Sequence, residues 1–431
     1  MDKSVINLAL AGFGTVGTGL AKIIKENQDW IERRIGKKLV ITRILVRDLS
    51  KVRPFIPGPE AVFTDRFQDL LDDQDIDVVV ELMGGMDTAF SLIKQSLERR
   101  KHVVTANKAL LAEMGGELFA LAHDRKLGLC YEASVAGGIP IVQTLKDSLA
   151  GNRISSITGI LNGTANFILS EMTSKGQDFS TALKAAQDLG FAEADPALDV
   201  EGVDAAHKLA ILIRLAHGAD YPFKLLPVNG ISKVEAMDIS LAAGFGYVLK
   251  LIAQVREKSG HLQAGVFPAL LPMDHILAKV DGPFNSILLE GNAVGPIMLY
   301  GQGAGGLPTG SAVLADIMSL ARNGAAVDNT GFRERVLPEA DIIEPDLAVS
   351  RHYFRMTALD KPGVLSAVSG VMGEHNISIA QAVQKPGPQG RDVPIVFLTH
   401  RAQLKAVQSA LKVIDDFDFT TAPTVHYRIL K

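Results

Sequence analysis

A chain of 431 residues has room for about three domains, and 47% hydrophobic with 21% charged residues is the make-up of a globular protein, not of a disordered or fibrous one. A net charge of −4 leaves no basic footprint for nucleic acid and no polybasic patch for a membrane surface, and no apolar run reaches the length of a membrane span. The single cysteine, Cys130, excludes an intrachain disulfide framework and a multi-cysteine zinc site, and because the chain runs straight into a strand without a secretory leader, the cytoplasm is the expected compartment.

The first predicted strand, Ile6 to Ala11, ends in Gly12-Phe13-Gly14-Thr15-Val16-Gly17, and a helical segment carrying Leu20, Ile23 and Ile24 follows. Strand, turn and helix together are the setting in which G-x-G-x-x-G signals dinucleotide binding. Gly12 permits the tight turn, Gly14 lets backbone approach a pyrophosphate, and Gly17 lets the helix pack on the strand. The helix N-terminus then offers unpaired N–H groups to the phosphates. A purely structural turn is the competing reading. Further strands are expected at Val40–Val46, Asp77–Leu82, His102–Thr105 and Gly128–Glu132, with helices at Ser91–Arg99 and Leu110–Ala122. This alternation predicts an α/β fold, a parallel doubly wound sheet of Rossmann type over residues 1–132. After the second strand comes Arg47, where an NAD pattern carries an acid. An arginine there suits a 2′-phosphate, so NADP(H) is favoured, while a solvated strand end is the competing reading of Arg47 and the neighbouring Asp48 leaves NAD possible.

Beyond residue 132 the rhythm changes. A small-residue loop, Ala133 to Pro140, opens a helix through Leu149. A strand at Ile154–Leu161 and helices near Ala165–Met172 and Val203–His217 follow. Residues 133–304 thus read as an α+β domain for substrate binding and dimerisation. Gly301-Gln-Gly-Ala-Gly-Gly306 is a second phosphate-approach turn with a helix through Ala321 behind it, so residues 305–325 are expected to return to the nucleotide domain. Residues 326–350, with Pro338, Pro345 and several acids, read as a linker. Over 351–431 the predicted order is β-α-β-β-α-β, the ferredoxin-like split unit.

Hydride transfer to a nicotinamide needs a group that moves the alcohol proton, and two lysines are placed for it. Lys208 shares a helix face with Ile211, Leu212 and Leu215, and Asp204 lies one turn earlier on that face. Desolvation would lower such a lysine's pKa towards working pH and the aspartate would oppose it; a snorkelling lysine paired with Asp204 is the equal alternative. Lys108 follows Thr105-Ala-Asn107 at the carboxyl end of a strand, the edge where open α/β sheets bind ligands, although a solvated helix-start lysine explains it as simply. Glu193, Asp195, Asp199 and Glu201 crowd the loop before the Lys208 helix, either to receive a substrate ammonium or as ordinary acid bias at a helix start. Two other classes compete: an aldehyde dehydrogenase using Cys130, which lies in the apolar strand Leu129-Cys-Tyr131 where a core role fits better, and a non-enzymatic sensor of NADP and amino acids.

The ordered series Gly12–Gly17, Glu81-Leu-Met-Gly-Gly85, Thr105-Ala-Asn-Lys108, Tyr131 to Pro140, Leu161-Asn-Gly-Thr-Ala-Asn166, Gly190 to Pro196 and Asp199 to Lys208 resembles homoserine dehydrogenase of the monofunctional type with a C-terminal ACT domain, over nearly the whole chain. The resemblance implies reversible conversion of L-homoserine to L-aspartate 4-semialdehyde in threonine and methionine synthesis. It implies that Lys208 transfers the proton, that Lys108 is the second active-site lysine, and that Glu193, Asp199 and Asp204 lie at the substrate. It further implies a monovalent cation, Na+, held at Glu132, Val135, Gly137 and Ile139, and a loop containing Gly303 and Gly305 that closes over the cofactor. The tail implies feedback by L-threonine at an ACT interface, with Asp360, Gly363, Val364 and Asn376 in the effector region. A dimerisation module without ligand is the alternative there, and a homodimer or homotetramer is expected.

Overall fold

A computed structural model describes residues 3–53, 55–324, 329–384 and 392–430. The chain forms two compact units: Met1–Gly163 with Asp204–Leu226 and Pro283–Ala340, and Thr164–Val203 with Pro227–Gly282 and Asp341–Lys431. The segment 133–304, read from the sequence as one domain, is therefore shared between the two.

In the first unit, β1 (Val5–Ala11), β2 (Lys38–Leu45), β3 (Val62–Thr64), β4 (Val78–Glu81), β5 (His102–Thr105) and β6 (Leu129–Cys130) make a wholly parallel sheet in the order β3-β2-β1-β4-β5-β6. β1 reads as a continuous apolar run because both its faces are covered. Ile6, Leu8 and Leu10 enter one core, and Ala9 and Ala11 enter the other, with Val79 and Leu92. The order reverses between β1 and β4, which opens the crevice at the carboxyl ends of these strands.

Helix Gly306–Asn323 lies against helix Thr15–Glu26 at backbone distance: a methyl on Gly19 would fall 2.1 Å from the Gly306 oxygen, and one on Gly310 would fall 2.7 Å from the Leu20 nitrogen. Small residues on both helices permit this approach. The same unit carries an antiparallel ribbon in which Phe284–Gly291 pairs with Gly295–Gln302 on one side and Ile154–Ile160 on the other.

The structure departs from the sequence reading in several elements. Strand Gly128–Glu132 shortens to Leu129–Cys130, because Glu132–Ser134 winds into a 3₁₀ turn. The helix after Pro140 is one α turn, Ile141–Gln143, running into a π turn, Thr144–Ser148. β3 is too short to show a sequence period. Of the stretch read as a linker, residues 326–328 lie outside the described residues, and Asn329 is not loose: its side chain accepts from Leu129 N and donates to the Leu127 oxygen, while its carbonyl takes the Tyr131 hydroxyl.

In the second unit the hairpin Tyr247–Lys258 and His261–Pro272 continues into the C-terminal sheet, since Arg428 and Ile429 of strand Thr420–Ile429 pair in parallel with Ala269 and Leu270. The remaining strands follow in the order Val349–Leu359, Asp392–Thr399, Ile379–Gln384. With helices Val364–Glu374 and Leu404–Asp415 this is the split β-α-β-β-α-β arrangement. Among the described residues no helix is long and apolar enough to cross a membrane.

Candidate active site

The nucleotide turn has the steric signature of a phosphate cradle. Gly12 has φ +106°, and a methyl on it would fall 2.6 Å from the Leu82 oxygen; one on Gly17 would fall 2.5 Å from the Gly12 oxygen. Around Gly14, which precedes helix Thr15–Glu26, a methyl would meet nothing. Two glycines are thus demanded by the protein itself, and the third keeps space open in front of a helix N-terminus. Thr15, Val16 and Gly17 form the first helical turn, and Phe13 packs edge-on against Phe63, 5.6 Å between ring centres.

At the end of β2, Arg47 is exposed. The Asp48 carboxylate is turned back on its own loop, accepting from the Ser50 N–H at 2.8 Å and the Ser50 hydroxyl at 2.6 Å. Those hydrogen bonds hold it below the usual carboxylate range. Arg53, which the sequence reading passed over, donates to the Asp48 carbonyl at 2.5 Å and lies over the Phe63 ring at 4.9 Å. Its packing against a short strand is invisible to sequence periodicity.

The ends of β4 and β5 are tied by a buried carboxylate. Glu81 accepts from Met83 N at 2.8 Å, Gly84 N at 3.2 Å and the Thr105 hydroxyl at 2.6 Å. Its burial raises the carboxyl against those bonds. Thr105 in turn accepts from Asn107 N, and Asn107 donates to the Gly85 carbonyl and caps the next helix at Leu110 N. Lys108 is the first residue of that helix, Lys108–Arg125. The motifs Glu81–Gly85 and Thr105–Lys108 are therefore one hydrogen-bonded mount for a lysine.

That lysine meets Asp204. Lys108 Nζ lies 3.2 Å from Asp204 Oδ1, and Lys208 Nζ donates to Asp204 Oδ2 at 2.7 Å and to the Leu161 carbonyl at 2.7 Å. Asn162 also donates to Asp204 Oδ2, at 2.8 Å. Helix Val203–His217 is buried on every face from Asp204 to Leu215, so the amphipathic stripe read from the sequence is only part of an enclosed helix. Burial works to raise the Asp204 carboxyl, but the two ammonium groups and Asn162 overcome it and hold the group well below the usual range. The carboxylate is a fixed anion that orients two cations; Lys108 keeps 39% of its side-chain surface exposed against 10% for Lys208. Next to Lys208, His207 bonds Glu113 at 3.0 Å and stacks on Phe223.

Glu193 and Asp199 belong to the second unit; Glu193 is exposed and Asp199 sits in the short helix Ala197–Val200. In the first unit, loop Ala133–Pro140 abuts loop Gly301–Gly306: Gly138 N donates to the Gln302 carbonyl, and a methyl on Gly137 would fall 2.4 Å from the Gly303 oxygen. Gly305, φ +132°, opens helix Gly306–Asn323. Val135, Gly137 and Ile139 are buried, with Ala136 and Gly137 both at positive φ. Glu132 accepts from Val142 N and Gln143 N, and burial pushes its carboxyl up to about 7. Cys130 is partly buried against the core, and desolvation pushes its thiol well up, which disfavours the thiolate.

In the C-terminal sheet, Asp360 accepts from Gln384 Nε2 at 3.0 Å, Gly363 has φ +94° and Val364 is buried. Asn376, φ +57°, lies beyond the other end of helix Val364–Glu374, whose 11 residues span about 16 Å.

A dinucleotide cradle, a lysine–carboxylate cluster in the same unit and a ferredoxin-like tail define a pyridine-nucleotide-dependent oxidoreductase with an ACT domain. Comparison with known proteins agrees: residues 12–132 match the family model "Homoserine dehydrogenase, NAD binding domain", 140–318 match "Homoserine dehydrogenase" and 352–416 match "ACT domain". The chain belongs to the homoserine dehydrogenase family. It is 41% identical over 429 residues to a homoserine dehydrogenase of Neisseria gonorrhoeae, covering 98% of each chain. A homoserine dehydrogenase structure from Thiobacillus denitrificans superposes with TM-score 0.92 at 38% identity, covering 99% of this chain and 98% of that one. A hyperthermophilic archaeal homoserine dehydrogenase in complex with NADPH gives TM-score 0.62 at 29% identity, over 73% of this chain and 97% of that one.

Proposed function

We propose that Lys208 is the proton-transfer group of this dehydrogenase, acting on L-homoserine and L-aspartate 4-semialdehyde with NADP(H) as the preferred nucleotide. The observation that carries the reading is the Lys208–Asp204–Lys108 cluster, two ammonium groups within 3.2 Å of one buried carboxylate. A bound nicotinamide supplies or accepts the hydride. In reduction, the Lys208 ammonium donates a proton to the aldehyde oxygen as the carbon gains hydride; in oxidation the neutral amine takes the hydroxyl proton back. Asp204 keeps Lys208 oriented, and Lys108 brings a second positive charge to the oxygen on which negative charge develops. Glu193 and Asp199 are proposed for the substrate ammonium.

Arg47 supports NADP(H) over NAD, since it stands exposed just past the end of β2 while the Asp48 carboxylate is held by Ser50. For a monovalent cation the donors are the carbonyls of Val135, Gly137 and Ile139 with Glu132, a buried carboxylate without a cation at ion-pair distance among the described residues. The Ile139 carbonyl already accepts from Ile141 N at 2.8 Å, so the cation would use its second lone pair. L-Threonine is the proposed effector, its carboxylate at the helix start after Gly363. A helix about 16 Å long separates that point from Asn376, so both can serve one amino acid only across an interface between subunits; a homodimer or homotetramer in the cytoplasm, working in threonine and methionine synthesis, is the corresponding assignment.

The test is NADPH consumption with aspartate semialdehyde, repeated with NADH and with threonine. Turnover with NADPH, weaker turnover with NADH and inhibition by threonine are expected. Equal rates with both nucleotides would remove the Arg47 assignment, and indifference to threonine would remove the effector.

A further inference from the structure

Asn285 stands at the junction of the Lys208 cluster and the glycine loop 301–306. It lies on strand Phe284–Gly291 and is fully buried. Its Nδ2 donates to the Leu161 carbonyl at 3.0 Å, the same oxygen that takes Lys208 Nζ at 2.7 Å. A carbonyl oxygen has two lone pairs, and each partner constrains the direction left to the other. The flat face of the amide packs on Gly303, where a methyl would fall 2.2 Å from Asn285 Cγ, 2.3 Å from Nδ2 and 2.4 Å from Oδ1. Asn285 Oδ1 is buried and has no hydrogen-bond partner among the described residues. Turning the amide over would set Oδ1 against the Leu161 oxygen, acceptor facing acceptor, so the orientation is fixed by chemistry.

A buried amide with an unsatisfied acceptor is a poor choice for packing alone, since a leucine of similar volume would fill the same space without leaving a polar atom dry. The N–H towards Leu161 accounts for the amide. We propose that Asn285 is a positioning residue for proton transfer: it holds the Leu161 carbonyl in the orientation that sets the Lys208 amine, and its contact with Gly303 ties that orientation to the glycine loop. This inference rests on the reading of Lys208 as the proton-transfer group.

The full-length enzyme carrying Asn285→Leu keeps the volume and loses the donor. Its kcat for aspartate semialdehyde is expected to fall about tenfold, while KM for NADPH and for the aldehyde stay within about twofold. Asn285→Ser, smaller and with a hydroxyl too short to replace the 3.0 Å bond that Nδ2 makes, gives the same split and carries the test should the leucine variant not fold. An unchanged kcat in the folded variants overturns the proposal. So does a parallel loss of kcat, both KM values and thermal midpoint, which a packing defect produces. Lys208→Ala is measured beside them: if it retains activity, the Lys208 reading fails, whereas an inactive Lys208→Ala with an unaltered Asn285→Leu removes only the role of Asn285.

Discussion

Asp204 and Asp238 are both buried carboxylates held by cationic side chains, yet the cations differ in kind. Asp238, in the second unit, is 1% exposed and is clamped by Arg355 through two bonds, Nε to Oδ1 at 2.6 Å and Nη2 to Oδ2 at 2.9 Å, with the Tyr353 hydroxyl added at 3.1 Å. Arg355 also reaches Glu235 at 2.8 Å. The guanidinium is a rigid fork that gives up no proton, and the side-chain hydrogen bond to Asp238, with the nearby acid charges, raises its affinity for the proton further. Asp204 instead faces two lysines, each a single ammonium on a flexible stem. One arrangement fixes helix Ala236–Gly244 to strand Val349–Leu359; the other holds groups that can exchange a proton with a ligand. On the proposed role of Lys208, the kind of cation, more than the degree of burial, separates the two clusters.

Breaking the fork should produce the largest effect. Arg355→Ala leaves Asp238 buried without its charge partner and is expected to lower unfolding free energy by about 3–5 kcal/mol, read by denaturant titration; a loss below about 1 kcal/mol would mean that water or Tyr353 replaces the guanidinium. At the other cluster the larger effect falls on rate. Lys208→Ala should reduce turnover by about 100-fold or more, the scale of positioned acid–base catalysis, with a smaller loss of stability than Arg355→Ala, because Lys108 and Asn162 still face Asp204. A two-fold change would reassign the lysine to structure.

A third buried pair sharpens the contrast through pH. His352 Nδ1 and His426 Nε2 lie 2.9 Å apart in the second unit, and His352 Nε2 bonds the Ala402 carbonyl at 3.1 Å. Burial holds both imidazoles low, His352 at about 4, and Arg428 opposes their charging further. Both are neutral when folded, while the unfolded chain takes up protons near pH 6.5. Stability is thus expected to fall as pH drops from about 7 through 5. A thermal midpoint that stays level between pH 7 and 5 would contradict the burial of this pair. The smallest effect concerns specificity: Arg47→Ala should reduce the preference for NADPH over NADH by about tenfold, measured as the ratio of the two kcat/KM values.

The fold and half of the site were legible because they are local in sequence. The β1 run, Gly12 to Gly17 and the Asp204/Lys208 spacing all lie within a few residues of one another, so strand, turn and helix periods expose them. The mount of Lys108 was visible only as motifs, since Glu81 reaches Thr105 across neighbouring parallel strands. Asn285 was not legible at all: it meets the Leu161 carbonyl 124 residues away, from a strand whose pattern is that of ordinary core. Arg355 and Asp238, 117 residues apart, were hidden for the same reason. The π turn after Gln143 and the three-residue β3 have no period long enough to read.

Single-turnover reduction of aspartate semialdehyde by Lys208→Arg, with NADPH binding measured as a control, separates proton transfer by Lys208 from its charge. Arginine keeps the positive charge beside Asp204 but does not release a proton at working pH. A rate as low as that of Lys208→Ala, with nucleotide bound normally, is expected if Lys208 gives up the proton. A rate near that of the unaltered enzyme would show that charge alone suffices, and proton transfer by Lys208 would be wrong.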